Sequence, residues 1–189
     1  FDTAEVYGLG RSERFLGKFI SQPTSDVLVA TKFFPFPWRL RKQALLRSLQ
    51  KSLARLHLNR VDLYQIHMPF GQWTQPKYLE TLADAVHAGL TRAVGVSNFN
   101  TKRTRLAHET LQAAGVSLAS NQVEYSLFDR RIEKDGLLDY CLENEITVIA
   151  YSPLAKGMAT GKYGPENPPP GPRKRIYPPE KLQQSQPLI

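Results

Sequence analysis

The sequence lacks several features that would assign it to a class at once. Cys141 is its only cysteine, which excludes an internal disulfide and suits a reducing compartment. It has no run of about 18 apolar residues and no signal-peptide pattern, so we expect a soluble chain that does not enter a membrane. Its histidines and its cysteine form no cluster with the spacing of zinc ligands, so we expect no metal. No GxGxxG motif follows a predicted strand, which argues against a Rossmann dinucleotide site.

The chain carries a clear excess of positive charge. It has 25 Lys and Arg against 17 Asp and Glu, a formal net charge of +8. The basic residues are spread over predicted helix surfaces, and no motif interleaves them with aromatic residues. We therefore expect no nucleic-acid partner, and a surface that attracts anionic ligands.

Apolar runs of strand length alternate with amphipathic stretches of helix length. The run VLVATK precedes a stretch in which leucines recur at helical spacing, at Leu45, Leu49, Leu53 and Leu56. The centres of the predicted strands are apolar on both faces, as in a parallel sheet that helices cover on each side. Short strands at intervals of about 25 to 35 residues favour the (β/α)8 TIM barrel, with a doubly wound open sheet as the alternative.

The number of repeats indicates an incomplete barrel. A chain of 189 residues accommodates one domain, 1–189, whereas a complete barrel needs about 250 residues. The visible units correspond to strands two to seven, the first of them cut at Phe1, so we expect truncation at both ends. A barrel without two of its strands exposes sheet edges, and we do not expect it to be stable or active alone.

A change of composition begins at Gly164. Residues 164–189 contain repeated prolines and the basic triplet Arg173, Lys174 and Arg175. Proline removes a backbone donor and restricts φ, so we expect a loop without a helix before about Pro179. It is interpreted either as a lid over a phosphate-bearing ligand or as a solvated, proline-rich docking segment.

Polar or reactive residues close five of the predicted strands. They are Lys32, His67, Ser97 with Asn98, Gln122, and Tyr151 with Ser152. Because the carboxyl ends of parallel strands face the same way, these side chains should converge on one rim of the sheet. That rim is the predicted active site.

Ordered motifs along the chain resemble those of the aldo-keto reductases. FDTAEVYG with Asp2 and Tyr7, ATK with Lys32 and LYQIH with His67 match that family's catalytic tetrad, and GVSNF, SNQVEYS and AYSPLAKG follow in order. The tail TGKYGPENPPPGPRKRIY resembles a branch found in plastids and cyanobacteria. The resemblance implies a barrel enzyme that uses NADPH, without a Rossmann motif, to reduce aldehydes or ketones to alcohols. From this resemblance we expect the protein in the cytoplasm or in the chloroplast stroma.

The tetrad, Asp2, Tyr7, Lys32 and His67, has a physical logic of its own. Hydride delivery to a carbonyl carbon leaves negative charge on the oxygen, so a proton donor is needed, and Tyr7 is the candidate. An ammonium about 4 Å from the phenol favours tyrosinate by roughly 4 kcal/mol at an effective dielectric near 20. We therefore expect Lys32 to lower the pKa of Tyr7. Asp2 would keep Lys32 charged, and His67 would orient the carbonyl oxygen.

The resemblance also assigns residues to the cofactor. Ser97, Asn98 and Gln122 would hold the nicotinamide carboxamide, and Tyr151 would stack on the nicotinamide ring. Four residues would lie along the pyrophosphate of NADPH or NADP⁺: Ser152, Leu154, Lys156 and Gly157.

Aromatic and sulfur-containing residues follow two of the strand ends. Phe33 and Trp38 follow Lys32, and Met68 and Trp73 follow His67, so these loops could form an apolar mouth for a small carbonyl substrate. Ordinary packing of the loops is the alternative. Considered one at a time, the site residues could also have purely structural roles. His67, for example, could be a buried histidine whose ring nitrogens are hydrogen-bonded within the fold. For the whole chain, the functional alternative is a catalytically weak, nicotinamide-binding regulatory subunit.

Overall fold

A five-stranded parallel sheet forms the centre of the computed structural model, which describes residues 1–20, 27–171 and 173–185. The strands are β1 Ala30–Phe33, β2 Val61–Ile66, β3 Thr91–Ser97, β4 Leu118–Glu124 and β5 Thr147–Tyr151. They lie in the order β1-β2-β3-β4-β5, each paired in parallel with the next along the chain. Asp2 adds a parallel bridge to Ala30 at the β1 edge.

The strand order separates the two predicted architectures. A doubly wound sheet reverses its strand order at a switch point, whereas a barrel adds each new strand on the same side. The observed order never reverses within the described residues. The chain therefore has an α/β fold that forms part of a (β/α)8 barrel, which confirms the predicted fold class.

Helices connect the strands and cover the sheet. They are α1 Arg11–Ile20, α2 Gln43–Leu56, α3 Pro76–His87, α4 Thr101–Ala113, α5 Arg131–Lys134, α6 Leu137–Glu143, α7 Arg173–Ile176 and α8 Pro179–Ser185, with 3-10 turns at Gly71–Thr74 and Ala155–Thr160. Within the described residues, none of these helices is both long and apolar enough to cross a membrane.

The leucines of α2 show how the sequence pattern builds the core. Leu45, Leu49, Leu53 and Leu56 are all buried, as their spacing predicts. They pack into a continuous apolar cluster with the strand centres and with α3 and α4. Burying such side chains contributes about 2 kcal/mol each, so the helices hold the sheet and its rim in place.

Two local predictions need correction. The stretch from Ile132 to Asn144 precedes the strand ITVIAYS, and its pattern predicts a single helix there. The structure divides it into α5 and α6, because Gly136 adopts a left-handed φ of 73° between them. A helix was not expected before Pro179, yet Arg173–Ile176 forms one turn. Four residues suffice for a turn that no proline interrupts.

The segment after β5 packs on itself. Ala155, Met158, Tyr163, Tyr177 and Leu182 form a second, smaller buried cluster. The Tyr177 hydroxyl donates to the Ala155 carbonyl at 2.9 Å. Much of the proline-rich region is thus anchored to the loop beyond β5, at the rim, and is not a wholly solvated segment.

A buried ion pair, with a hydrogen bond to a strand residue, joins α1, α2 and β1. Glu13 is fully buried and accepts hydrogen bonds from Arg55 Nε at 2.6 Å and from the Thr31 hydroxyl at 2.6 Å. Gly17 permits the close contact of the two helices, because a Cβ there would lie 2.6 Å from the Arg55 carbonyl oxygen. The pair lies on the face of β1 opposite to the Lys32 side chain, since Thr31 and Lys32 are adjacent in the strand.

Candidate active site

Lys32 is the buried centre of the tetrad. Its side chain is 1% exposed, and its ammonium donates to both oxygens of Asp2 at 2.7 Å and to the Thr3 carbonyl at 2.9 Å. The parallel bridge between Asp2 and Ala30 places the two chain segments side by side. Asp2 therefore satisfies a charge that burial would otherwise disfavour.

Tyr7 and His67 lie on the open side of Lys32. The Lys32 Nζ atom is 5.4 Å from the centroid of the Tyr7 ring. The Tyr7 and His67 rings meet edge to face, with centroids 5.6 Å apart. Tyr7 is 42% exposed, so its ring borders solvent while its neighbours are partly dry. All four predicted tetrad residues thus come together on the rim.

The electrostatics of the cluster differ in one respect from the sequence-based prediction. Burial and the carboxylate of Asp2 raise the pKa of Tyr7, whereas we expected Lys32 to lower it. Burial of the phenol disfavours tyrosinate, and Asp2, whose carboxylate pairs with the Lys32 ammonium at 2.7 Å, adds its negative charge nearby. Tyr7 therefore keeps its proton at neutral pH.

The pKa values of Lys32 and His67 are both lowered, chiefly by burial. Burial lowers the pKa of Lys32, and the hydrogen bond to Asp2 opposes that shift. Burial and the nearby Lys32 charge lower the pKa of His67, so its imidazole is neutral at pH 7. The His67 Nδ1 atom is buried and has no hydrogen-bond partner within the described part of the chain.

The predicted carboxamide-binding residues form one hydrogen-bonded group beside the tetrad. Asn98 Nδ2 donates to the Ser97 hydroxyl at 3.0 Å and to the His67 carbonyl at 3.2 Å. The Tyr151 hydroxyl donates to Asn98 Oδ1 at 2.9 Å. Gln122 Nε2 donates to Asp2 Oδ2 at 3.1 Å, which links this group to the tetrad.

The loop beyond β5 carries the predicted pyrophosphate residues. Ser152, Lys156 and Gly157 all have left-handed φ values, of 52°, 55° and 101°, and Leu154 is exposed. Strained backbone of this kind is concentrated at functional sites. The Lys156 ammonium pairs with Glu124 at 3.0 Å, which raises the pKa of Lys156. An anion at this loop would have to compete with Glu124, a carboxylate that the sequence analysis did not single out.

Two clefts lie beside the ends of β4 and β5, and neither is bordered by a tetrad residue. One of about 230 Å³ is bordered by Asn98, Glu124 and Tyr151. A second of about 310 Å³ is bordered by Glu124, Lys156 and Tyr177. Both clefts are bordered by Glu124, the last residue of β4, and by residues predicted to bind the cofactor.

The four residues predicted for an apolar mouth divide into two pairs. Phe33 and Trp73 are 0% and 1% exposed, and their ring centroids lie 4.5 Å apart in the core. Trp38 and Met68 are 72% and 36% exposed and lie on the loops after β1 and β2. The structure places only Trp38 and Met68 where a ligand could touch them, and Phe33 and Trp73 instead support the loops from beneath.

A second buried ion pair beside the tetrad was not predicted. Glu5 and Arg39 are joined at 2.5 Å, directly behind the loops that carry Tyr7 and Phe34. The only sequence signal was a carboxylate placed between Asp2 and Tyr7. Among the described residues, no group of three or more His, Cys, Asp or Glu side chains is arranged to hold a metal ion.

The comparisons with known proteins agree on one family. The model of the aldo/keto reductase family matches residues 1–184. An uncharacterized oxidoreductase of Mycobacterium tuberculosis is 41% identical over 195 residues, which cover 100% of this chain and 57% of that protein. The chloroplastic pyridoxal reductase of Arabidopsis thaliana is 38% identical over 190 residues, which cover 94% of this chain and 52% of that protein.

A solved structure extends the comparison to three dimensions. The aldo/keto reductase of Klebsiella pneumoniae in complex with NADP and acetate is 33% identical, with a TM-score of 0.69. The match covers 82% of this chain and 53% of that one. The chain thus spans about half the length of the relatives it matches.

Proposed function

Because the chain belongs to the aldo/keto reductase family, we propose that the protein reduces a small aldehyde or ketone to an alcohol with NADPH, with Tyr7 as general acid. The observation that carries the proposal is the placement of a buried Lys32 between Asp2 and Tyr7, with His67 beside them, at the carboxyl ends of parallel strands. In barrels of this class the active site lies at that end of the strands.

The residues beside the tetrad fit a nicotinamide dinucleotide. When bound, the reduced nicotinamide supplies a hydride to the carbonyl carbon. Asn98 and Gln122 offer amide donors and acceptors for its carboxamide, Tyr151 offers an aromatic ring, and the left-handed loop from Ser152 to Gly157 offers backbone close to the pyrophosphate. The crystallised relative from Klebsiella pneumoniae holds NADP, which supports the same cofactor here.

The tetrad residues would donate the proton that the carbonyl oxygen of the substrate receives, and would stabilise the charges that result. Tyr7 donates its phenolic proton to the carbonyl oxygen as negative charge develops there. Lys32 stabilises the resulting tyrosinate, and Asp2 keeps the ammonium charged and aimed. The neutral imidazole of His67 donates a hydrogen bond that orients the same oxygen.

One observation favours a second function. The raised pKa of Tyr7 makes the phenol a reluctant donor, and a slow turnover would suit a nicotinamide-binding regulatory subunit of the same fold. This alternative shares the cofactor site and differs only in the rate of reduction.

Steady-state kinetics separate the two functions. Activity is measured on the full-length protein, because this chain spans about half of its relatives. NADPH oxidation is followed at 340 nm with pyridoxal, which the name of the Arabidopsis relative suggests, and with aliphatic and aromatic aldehydes. The hypothesis of a reductase predicts that at least one aldehyde is turned over at a rate on the order of 1 s⁻¹ or faster. Tight NADPH binding without turnover across the set would favour the regulatory subunit, and absence of NADPH binding would refute both.

The pH profile reports the two shifted groups. Tyr7 has a pKa above the ordinary value of about 10, and His67 has one below about 6.5. Reduction requires protonated Tyr7, so the rate is retained below the pKa of Tyr7 and is lost as the pH rises through it. With NADPH saturating, kcat/KM for the aldehyde should be level from about pH 7 to 9. A rise or fall of kcat/KM with its midpoint between about pH 7 and 9 would contradict the assignment of Tyr7 and His67.

A further inference from the structure

One buried carboxylate outside the tetrad is surrounded by hydrogen-bond donors. Glu5 Oε1 accepts from the Phe34 backbone amide at 2.6 Å and from Arg39 Nη1 at 2.5 Å. Glu5 Oε2 accepts from Arg39 Nη2 at 3.1 Å and from the Ser48 hydroxyl. Its side chain is only 9% exposed. A carboxylate and a guanidinium in this forked geometry hold each other in one orientation.

Arg39 extends the contact to a third loop. Its backbone carbonyl accepts from Gln72 Nε2 and from Trp73 Nε1, each at 3.0 Å. Its Nη1 atom also donates to the Phe34 carbonyl at 2.8 Å. The guanidinium lies over the Phe33 ring, 4.9 Å from its centroid. Arg39 is therefore fixed from its backbone to the end of its side chain.

The three loops joined in this way are those that carry the tetrad. The first bears Tyr7 two residues after Glu5, the second follows Lys32, and the third follows His67. The ring of Phe34, whose amide is held by Glu5, packs edge to face on His67 at 5.5 Å. Among the described residues, no hydrogen bond joins the side chains of Tyr7 and His67, which meet only edge to face, so their separation depends on how the loops are held.

We infer that Glu5 and Arg39 are positioning residues, which hold the loop bearing Tyr7 against the loops that follow Lys32 and His67, in the arrangement that proton transfer needs. The inference rests on the proposed reductase function for its kinetic readout. Misplacement of a reacting group by about 1 Å can cost about 100-fold in rate. Neither residue needs to touch the substrate for this effect.

Two substitutions test the inference in the full-length protein. Glu5→Gln preserves size and one acceptor but removes the charge and the fork, and we expect kcat to fall by about 100-fold. The Kd for NADPH should change by less than about two-fold, since the nicotinamide residues lie on other loops. Arg39→Lys keeps the charge without the fork, and we expect a smaller loss of kcat in a variant that folds readily.

The matched control is Glu13→Gln. Glu13 is another buried carboxylate paired with an arginine, but through Thr31 it joins α1 and α2 to the face of β1 opposite to Lys32. Glu13→Gln should shift the urea unfolding midpoint at least as much as Glu5→Gln and leave kcat unchanged. If the two variants lose kcat equally, the loss in Glu5→Gln comes from general destabilisation of the fold, and the inference is overturned.

Amide hydrogen exchange supplies a readout that needs no activity. Exchange in residues 33–39 and 71–74 should quicken in Glu5→Gln and not in Glu13→Gln. Unchanged kcat in Glu5→Gln would overturn the inference even if exchange quickens. If the wild-type protein reduces no carbonyl, the proposed function fails, while the exchange result still decides whether Glu5 holds these loops.

Discussion

Replacement of Tyr7 by Phe should lower kcat for carbonyl reduction by about 10² to 10⁴-fold in the full-length protein. The substitution removes only the hydroxyl, and the ring can still pack against His67 and Lys32. NADPH binding, measured by fluorescence titration, should be nearly unchanged, because the cofactor residues proposed for it lie on β3, β4 and β5.

A matched variant distinguishes proton donation from packing. Tyr125→Phe removes a hydroxyl that donates to Glu133 at 2.7 Å, away from the tetrad, and should leave kcat within about two-fold. Comparable turnover by Tyr7→Phe and wild type would refute the role of Tyr7 as general acid.

Replacement of Asp2 by Asn should destabilise the fold by about 3 kcal/mol. The substitution leaves the ammonium of Lys32, 1% exposed, without a counter-charge. The value lies at the lower end of the range for a broken buried pair, because the Asp2 side chain is 44% exposed and water can share in solvating it. Urea unfolding followed by circular dichroism measures the loss.

The cause of the loss can be isolated with a second substitution. Adding Lys32→Met removes the uncompensated charge, so Asp2→Asn/Lys32→Met should be more stable than Asp2→Asn alone. Asp84→Asn, on the exposed face of α3, serves as the control and should change stability by less than about 0.5 kcal/mol. A double variant that is less stable than Asp2→Asn would contradict the pairing.

Features that depend on regular periodicity were predictable from the sequence. The leucines of α2 and the apolar strand centres specify which faces are buried, and parallel strands bring their ends to one rim. Those two facts are enough to place Lys32, His67, Asn98 and Tyr151 together. The family resemblance, drawn from the same strand ends, is confirmed by the family model.

Features that depend on irregular loops were not predictable. Phe33 ends β1 and Trp73 lies in the turn Gly71–Thr74, and both rings are buried, whereas Trp38 and Met68 on the loops are exposed. The bounds of the strand and the path of each loop decide this difference. The partners Glu5 and Arg39 are 34 residues apart with no periodic pattern between them. The pKa of Tyr7 depends first on its burial and then on the position of Asp2, and neither is encoded in local sequence.

The central claim is that Tyr7 and Lys32 act as one unit in delivering the proton. When two residues act as one unit, replacing both slows the reaction by less than the product of the two single losses. Single-turnover oxidation of bound NADPH by a saturating aldehyde should therefore be no slower in Tyr7→Phe/Lys32→Met than in the slower of the two single variants. A double variant whose loss equals the product of the two single losses would show that the two side chains act independently and would contradict the account.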